Sequence, residues 1–320
     1  MKKIIITWWA WFIGSNFLNA YVRKFPDIMF INIDALTYAG KLENIEVAEA
    51  SNYVFEQVDI RDLNALRAVY EKHKPTDCIH FAAESHVDNS IKNPWIFLET
   101  NVLGTQNLLA LHREFNLKRF HYIWTDEVYG ELPLDRPDLL FTEKTPITPH
   151  SPYSVSKAWG DQLTHAYHRT YGTDITITRC SNNYGPYHDR EKLIPHFIEK
   201  LQHDQKVPVY GDGKNVRDRL YVEDHCDAVW EVFTRGTSGE VYNVWGNNEY
   251  SNLEITKILL EAFDKDETSI EYVEDRAGHD RRYAIDNTKI TTELGRSPKV
   301  TFEQWIQKTI QRYKEHPSYL

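Results

Sequence analysis

Short apolar runs recur along the first 125 residues, with helical periodicity between them. Residues 3–7 (KIIIT) have the length and purity of a strand buried on both faces. Residues 12–24 read as a helix, and further runs follow at 28–34 (IMFINID), 53–60 (YVFEQVDI), 77–83 (DCIHFAA) and 119–125 (RFHYIWT). Helical stretches at 62–73 and about 95–115 separate them. Strand and helix alternate on short connections, which predicts an α/β fold: a doubly wound, Rossmann-like parallel sheet with helices on both faces. Beyond about residue 180 the pattern loosens. Strand candidates at 207–210 (VPVY) and 240–245 (EVYNVW) mix with helices near 191–203, 252–264 and 301–314. The expected division is a Rossmann-like domain over 1–180, with a smaller C-terminal lobe over 181–320.

Composition narrows the function. The 37 basic and 47 acidic residues leave a net charge of −10, which argues against a nucleic-acid partner. A few convergent Arg and Lys could still hold an anionic small molecule. Cys78, Cys180 and Cys226 are widely spaced, with no CxxC, as in a reduced, cytoplasmic protein. The 14 histidines show no metal-ligand spacing, so no metal site is expected. Met1-Lys2-Lys3 before IIITWWAWFIG has the look of a targeting segment. No small-x-small cleavage site follows, and the run is too short to span a bilayer. A buried first strand is the better reading, with no membrane partner. Glycine is scarce at 14 residues, and three of the nine tryptophans, Trp8, Trp9 and Trp11, fall within four positions.

Five constellations carry chemistry. The turn after the first strand keeps the frame T-x-x-A-x-F-I-G-S-N. A dinucleotide site puts glycines there for a tight turn, for close approach to a pyrophosphate and for helix packing. Here those positions hold Trp8, Trp9 and Trp11, so the loop alone gives no cofactor signal. Asp34, ending the second strand, suits ribose hydroxyls and NAD, although a turn-forming Asp explains it equally well. Tyr153 and Lys157 lie one helical turn apart, and an ammonium there would favour the phenolate. Tyr70/Lys74 and Tyr210/Lys214 share the spacing, but only Tyr153 opens a helix after a strand of the main sheet. Asp126 and Glu127 follow that strand's C-terminal end, where two acids can divide acid and base work. A solvated loop would explain them as well, were the Tyr-Lys pair not close by. Finally, Lys192, Arg217, Arg276, Arg281 and Arg282 could converge on a diphosphate, with surface ion pairs the alternative for each.

Together the strings DALTYAG (34–40), FAAESHVD (81–88), TDEVYGEL (125–132), SPYSVSK (151–157), TRCSNNYGPY (178–187), EKLIP (191–195), YGDGKNVRD (210–218) and DRAGHDRRYAID (275–286) resemble the nucleotide-sugar 4,6-dehydratases. These belong to the extended short-chain dehydrogenase/reductases. The resemblance runs nearly end to end. It implies NAD as cofactor, dTDP-glucose as substrate and a homodimer, with Thr125, Asp126, Glu127, Tyr153 and Lys157 catalytic. Phe12, Ile13, Gly14, Asp34, Leu36, Thr37, Asp59, Ile60, Ala82, Ala83, Thr100 and Asn183 would line the cofactor with Tyr153 and Lys157. Ser85, Thr125, Asn182, Lys192, Leu193, Pro208, Tyr210, Arg217, Asn247, Arg276 and His279 would line the nucleotide sugar. A 4-epimerase, another nucleotide-sugar dehydratase or a non-catalytic binding protein are the competing readings. Against the family pattern, Trp8, Trp9, Trp11, Trp245 and Trp305 replace glycine, and Trp124 and Trp159 replace small residues. Arg219, Arg296 and Arg312 stand where tryptophan is usual. The loop indoles are expected to weaken cofactor binding and activity.

Overall fold

The computed structural model describes residues 1–7, 12–37 and 40–315. Trp8, Trp9 and Trp11, with the reading that rests on them, lie outside the described residues. The chain begins β1 (Lys2–Thr7), α1 (Phe12–Lys24), β2 (Ile28–Asp34), β3 (Tyr53–Gln57), α2 (Leu63–His73), β4 (Asp77–His80), α3 (Val87–Lys92) and α4 (Pro94–Leu98). A π-helical turn (Glu99–Gly104) leads into α5 (Thr105–Glu114), β5 (Arg119–Thr125), α6 (Pro152–Tyr171), β6 (Asp174–Cys180), β7 (Asn182–Tyr184) and α7 (Leu193–Gln202). Then come β8 (Val207–Tyr210), β9 (Val216–Tyr221), α8 (Val222–Arg235), β10 (Val241–Val244), β11 (Glu249–Ser251) and α9 (Asn252–Ala262). The last elements are β12 (Ile270–Val273), β13 (Arg282–Tyr283), α10 (Thr288–Leu294) and α11 (Phe302–Glu315).

Seven strands form one sheet, ordered β10-β6-β5-β4-β1-β2-β3, with every neighbouring pair parallel. Strand order reverses between β1 and β4, and such a switch point opens a crevice at the strands' C-terminal ends. Both faces are covered. Ile5 packs in one core with Leu66, Tyr70, Leu108 and Phe120. Ile4 and Ile6 point the other way, into a core with Phe17, Leu18, Val229 and Phe233. Burying each isoleucine contributes roughly 1.5–3 kcal/mol, which is why this strand shows no polar alternation.

Local chemistry sets the element ends. A Ser151/Ser154 capping box and Pro152 start α6, and Gly172, at φ 68°, stops it. The strand expected over 53–60 ends at Gln57. The helix expected over 95–115 is interrupted by the π turn, where Gly104 packs on Ile60 so closely that a Cβ would sit 2.5 Å from its Cδ1. Past residue 180 the chain crosses between layers. α8 and β10 return to the main sheet, while β11, β9, β13 and β7 form a small second sheet and β12 pairs with β8. Among the described residues no helix is long and apolar enough to cross a membrane.

Candidate active site

The end of β5 carries Thr125, and a single 3-10 turn, Asp126–Tyr129, follows it. The Thr125 hydroxyl accepts a hydrogen bond from the Glu127 amide at 3.3 Å, holding the turn. Tyr153, in the first turn of α6, lines one cavity with Thr125 and packs edge-on against Phe97 with ring centroids 6.3 Å apart. Thr125, Glu127, Tyr153 and Lys157 therefore meet in one inner cavity of about 150 Å³. Asp126 is buried beside them, 1% exposed. Burial, then the charges of Glu127 and Asp218, push its carboxyl well above the usual range. Burial also raises Glu127, against the opposing pull of Arg276, Arg217 and Lys192. Burial thus favours the protonated form at Asp126 beside a second carboxyl, and two acids in one cleft can divide acid and base work.

The expected Tyr153 and Lys157 pair lines one cavity. Lys157 Nζ donates to the Ile123 carbonyl at 3.1 Å and lies 4.7 Å from the Tyr122 ring centre. Burial pushes Lys157 down to about 7. Burial, then Glu127, pushes the Tyr153 hydroxyl well above its ordinary value. Helical spacing puts both side chains on one face, and burial is the largest cause of both shifts.

Two cavities suit a dinucleotide. Phe12, Ile13, Gly14, Ala83 and Asn183 line the inner one with Tyr153 and Lys157. Asp34, Thr37, Asp59, Ile60, Ala82, Ala83 and Thr100 line another, of about 230 Å³. Its apolar walls and the buried Asp34 carboxylate at its strand end match an adenosine with a ribose diol. Leu36, at φ 52°, donates its amide to Asp34 at 2.7 Å and shapes the turn without lining either cavity. Burial would raise Asp59, but hydrogen bonds from Arg61 outweigh it and hold the carboxylate below its usual range.

A larger cleft of about 930 Å³ adjoins the acid–base turn. Ser85, Glu127, Asn182, Lys192, Leu193, Pro208, Tyr210, Arg217, Arg276 and His279 all line it. Arg217 is fixed over the Tyr283 ring, 4.1 Å from its centre, and donates to the Asp280 carbonyl at 2.8 Å. Burial and Arg276 push His279 down to about 4. The structure does not bring the whole basic set together. Arg281 pairs with Asp212 on the surface, and Arg282 is buried against Glu249. Asn247, exposed at φ 60° on the β10–β11 turn, does not line the cleft.

Several residues of the site escaped the sequence reading. His188 stacks on Phe12, with ring centroids 4.4 Å apart, and lines both the inner cavity and the cleft. Asn101, in the π turn, accepts from the Glu84 amide at 2.8 Å and donates to the Glu84 carbonyl at 3.0 Å and to Ser156 at 2.8 Å. It ties the loop after β4 to α6. π turns recur at functional sites, but a continuous helical pattern conceals them. N101A is expected to cost roughly 1–3 kcal/mol, because partners are left buried and unpaired. Urea unfolding would show it as a lower midpoint.

A parallel sheet of this order, with a Tyr-Lys helix facing its switch point, defines a short-chain dehydrogenase/reductase fold. The chain belongs to the family described as GDP-mannose 4,6 dehydratase, whose pattern matches residues 5–309. It is 46% identical to the dTDP-glucose 4,6-dehydratase of Neisseria meningitidis over 340 residues, covering 100% of this chain and 95% of that protein. The solved dTDP-glucose 4,6-dehydratase of Streptomyces venezuelae, with NAD and TYD bound, superposes with a TM-score of 0.94 at 42% identity, covering 99% and 98%. A UDP-glucose 4-epimerase of Thermotoga maritima shares the fold at TM-score 0.89 and 28% identity, covering 98% and 99%.

Proposed function

We propose that this chain is a dTDP-glucose 4,6-dehydratase that forms dTDP-4-keto-6-deoxyglucose with loss of water. The observation that carries it is the meeting of Thr125, Asp126, Glu127 and Tyr153 at the end of β5. Asp34, Thr37, Asp59, Ile60, Ala82, Ala83, Thr100 and Asn183 would hold NAD, with Leu36 shaping the turn beside it. When bound, NAD supplies the acceptor for the C4 hydride and gives it back at C6. Tyr153, as the phenolate that a charged Lys157 would stabilise, takes the proton of the sugar 4-hydroxyl, and Thr125 orients that oxygen. The 4-ketone acidifies the C5 hydrogen, which Glu127 removes while Asp126 protonates the departing 6-hydroxyl. Glu127 then returns a proton to C5. Lys192, Arg217 and Arg276 face the diphosphate.

A 4-epimerase needs no acid pair beside the tyrosine and would leave Asp126 and Glu127 without work. Assay for a 4-keto-6-deoxy product separates the two, and binding without turnover would mark a non-catalytic protein. Y153F, made in the chain with glycine at positions 8, 9 and 11, is expected to lower kcat by roughly 10²–10⁴-fold with little change in nucleotide-sugar affinity. Unchanged turnover would overturn the assignment. A homodimer through the α4–α6 region is supported by exposed Trp95, Leu103 and Trp159, at 66%, 56% and 54%. The buried free thiols of Cys78, Cys180 and Cys226 suit the cytoplasm.

A further inference from the structure

We propose that Arg179 is a positioning residue that locks the acid–base turn to the catalytic helix; this rests on the dehydratase reading. Arg179 lies near the end of β6, next to β5, and is 3% exposed. Its Nη2 and Nε donate to the Asp161 carboxylate at 2.7 and 3.2 Å. Its Nη1 donates to the Tyr129 hydroxyl at 2.8 Å. Asp161 is fully buried on α6, one helical turn beyond Lys157 and two beyond Tyr153. Tyr129 closes the turn that begins with Asp126 and donates onward to Asn243 at 2.8 Å. One planar guanidinium therefore fixes the distance between the helix that serves C4 and the turn that serves C5 and C6. Arg suits this task because its fork holds two partners at set angles, which a lysine cannot do.

Y129F keeps the buried ion pair and removes only the tie to the turn. R179K keeps the charge and loses the fork. Both are expected to slow solvent-deuterium entry at C5 and product release by about 10–100-fold, since misplacement near 1 Å costs that much. The initial reduced-nicotinamide absorbance on mixing with dTDP-glucose should stay within about threefold. Equal loss of both signals, or loss of thermal stability with an unchanged ratio, would mean that Arg179 is only structural. Both variants are made in the W8G/W9G/W11G chain; if that parent binds NAD and still gives neither signal, the dehydratase reading fails instead.

A separate observation concerns the tryptophans. We infer that the protein made in its own cells carries glycine at positions 8, 9, 11, 245 and 305, and tryptophan at 219, 296 and 312. The cause would be a gene read with UGA as glycine and CGG as tryptophan. Buried indole N–H groups usually find an acceptor. Those of Trp245 and Trp305 have none among the described residues. Arg219 is 7% exposed and forms no ion pair among the described residues, and its Nη2 bonds only Asn252, at 3.1 Å. Burial and the neighbouring Arg217 push it down to about 10. A buried cation without a carboxylate is costly, whereas an indole there brings no charge. Set against the pattern that the family resemblance implies, the exchanges run one way, from glycine to tryptophan and from tryptophan to arginine. UGA differs by one base from a glycine codon and from the tryptophan codon, and CGG differs from UGG by one. Two reassigned codons thus account for what would otherwise be many separate mutations. The test is mass spectrometry of the peptide after Lys3, and of peptides spanning 219 and 296, from protein isolated from the source cells. Glycine in the loop with tryptophan at 219 and 296 is expected. Tryptophan in the loop, or arginine at 219, would overturn the inference, as would a gene with UGG at positions 8, 9 and 11.

Discussion

A chain synthesised with tryptophan at positions 8, 9 and 11 is expected to purify nearly free of nucleotide, and the W8G/W9G/W11G chain to retain near-stoichiometric NAD. β1 ends at Thr7 and α1 starts at Phe12, and these positions fall between the two in sequence, where a dinucleotide fold has its phosphate-binding turn. In such a turn one position must bend tightly, one must let backbone approach a pyrophosphate, and one must let helix meet strand. An indole answers none of these needs. Overpacking costs roughly 1–3 kcal/mol at a site. Even the lower figure, taken three times, exceeds a hundredfold in affinity, because about 1.4 kcal/mol is tenfold. The readouts are the ultraviolet absorbance of nucleotide released by denaturation, and calorimetric titration with NAD. The remaining site should be unharmed, so dTDP-glucose turnover should return with the glycines. Equal NAD content in the two chains would show that the loop tolerates indoles.

Much of the scaffold was legible in the chain. β5 and β8 fall where RFHYIWT and VPVY place them, because each is a short run rich in aromatic or β-branched residues with clear ends. β9 was not legible. Its VRDRLY looks solvated, yet Arg217, Asp218 and Arg219 are all buried, since the strand lines a cleft. Asp218 is held there by Ser181 and by the amides of Gly246 and Asn248, contacts between segments far apart in the chain. Pairing of β10 with β6 is likewise tertiary information that no local pattern contains. In the site, residue types and spacings pointed to Tyr153, Lys157, Asp126 and Glu127. The directions of their pKa shifts did not follow, because burial, the largest cause for each, is set by tertiary packing.

E127Q and D126N, made in the glycine-loop chain, are expected to separate the two halves of the reaction. Removing a positioned base or acid costs roughly 10²–10⁴-fold in the step it serves. Neither residue serves the 4-hydroxyl, so mixing with dTDP-glucose should still raise reduced-nicotinamide absorbance, which then decays slowly. In E127Q, exchange at C5 with solvent deuterium should vanish. In D126N that exchange should persist while loss of the 6-hydroxyl stalls. The pH profile adds an independent check. Activity needs Glu127 ionised and Asp126 protonated, so the rate should rise as Glu127 loses its proton and fall as Asp126 does. Burial raises Asp126 first, and the charge of Glu127 raises it further. Replacing that charge with a neutral amide removes a like-charge repulsion, so the alkaline limb of the residual E127Q activity should move to lower pH. An unmoved limb would place the titrating group elsewhere and break the link between the two acids.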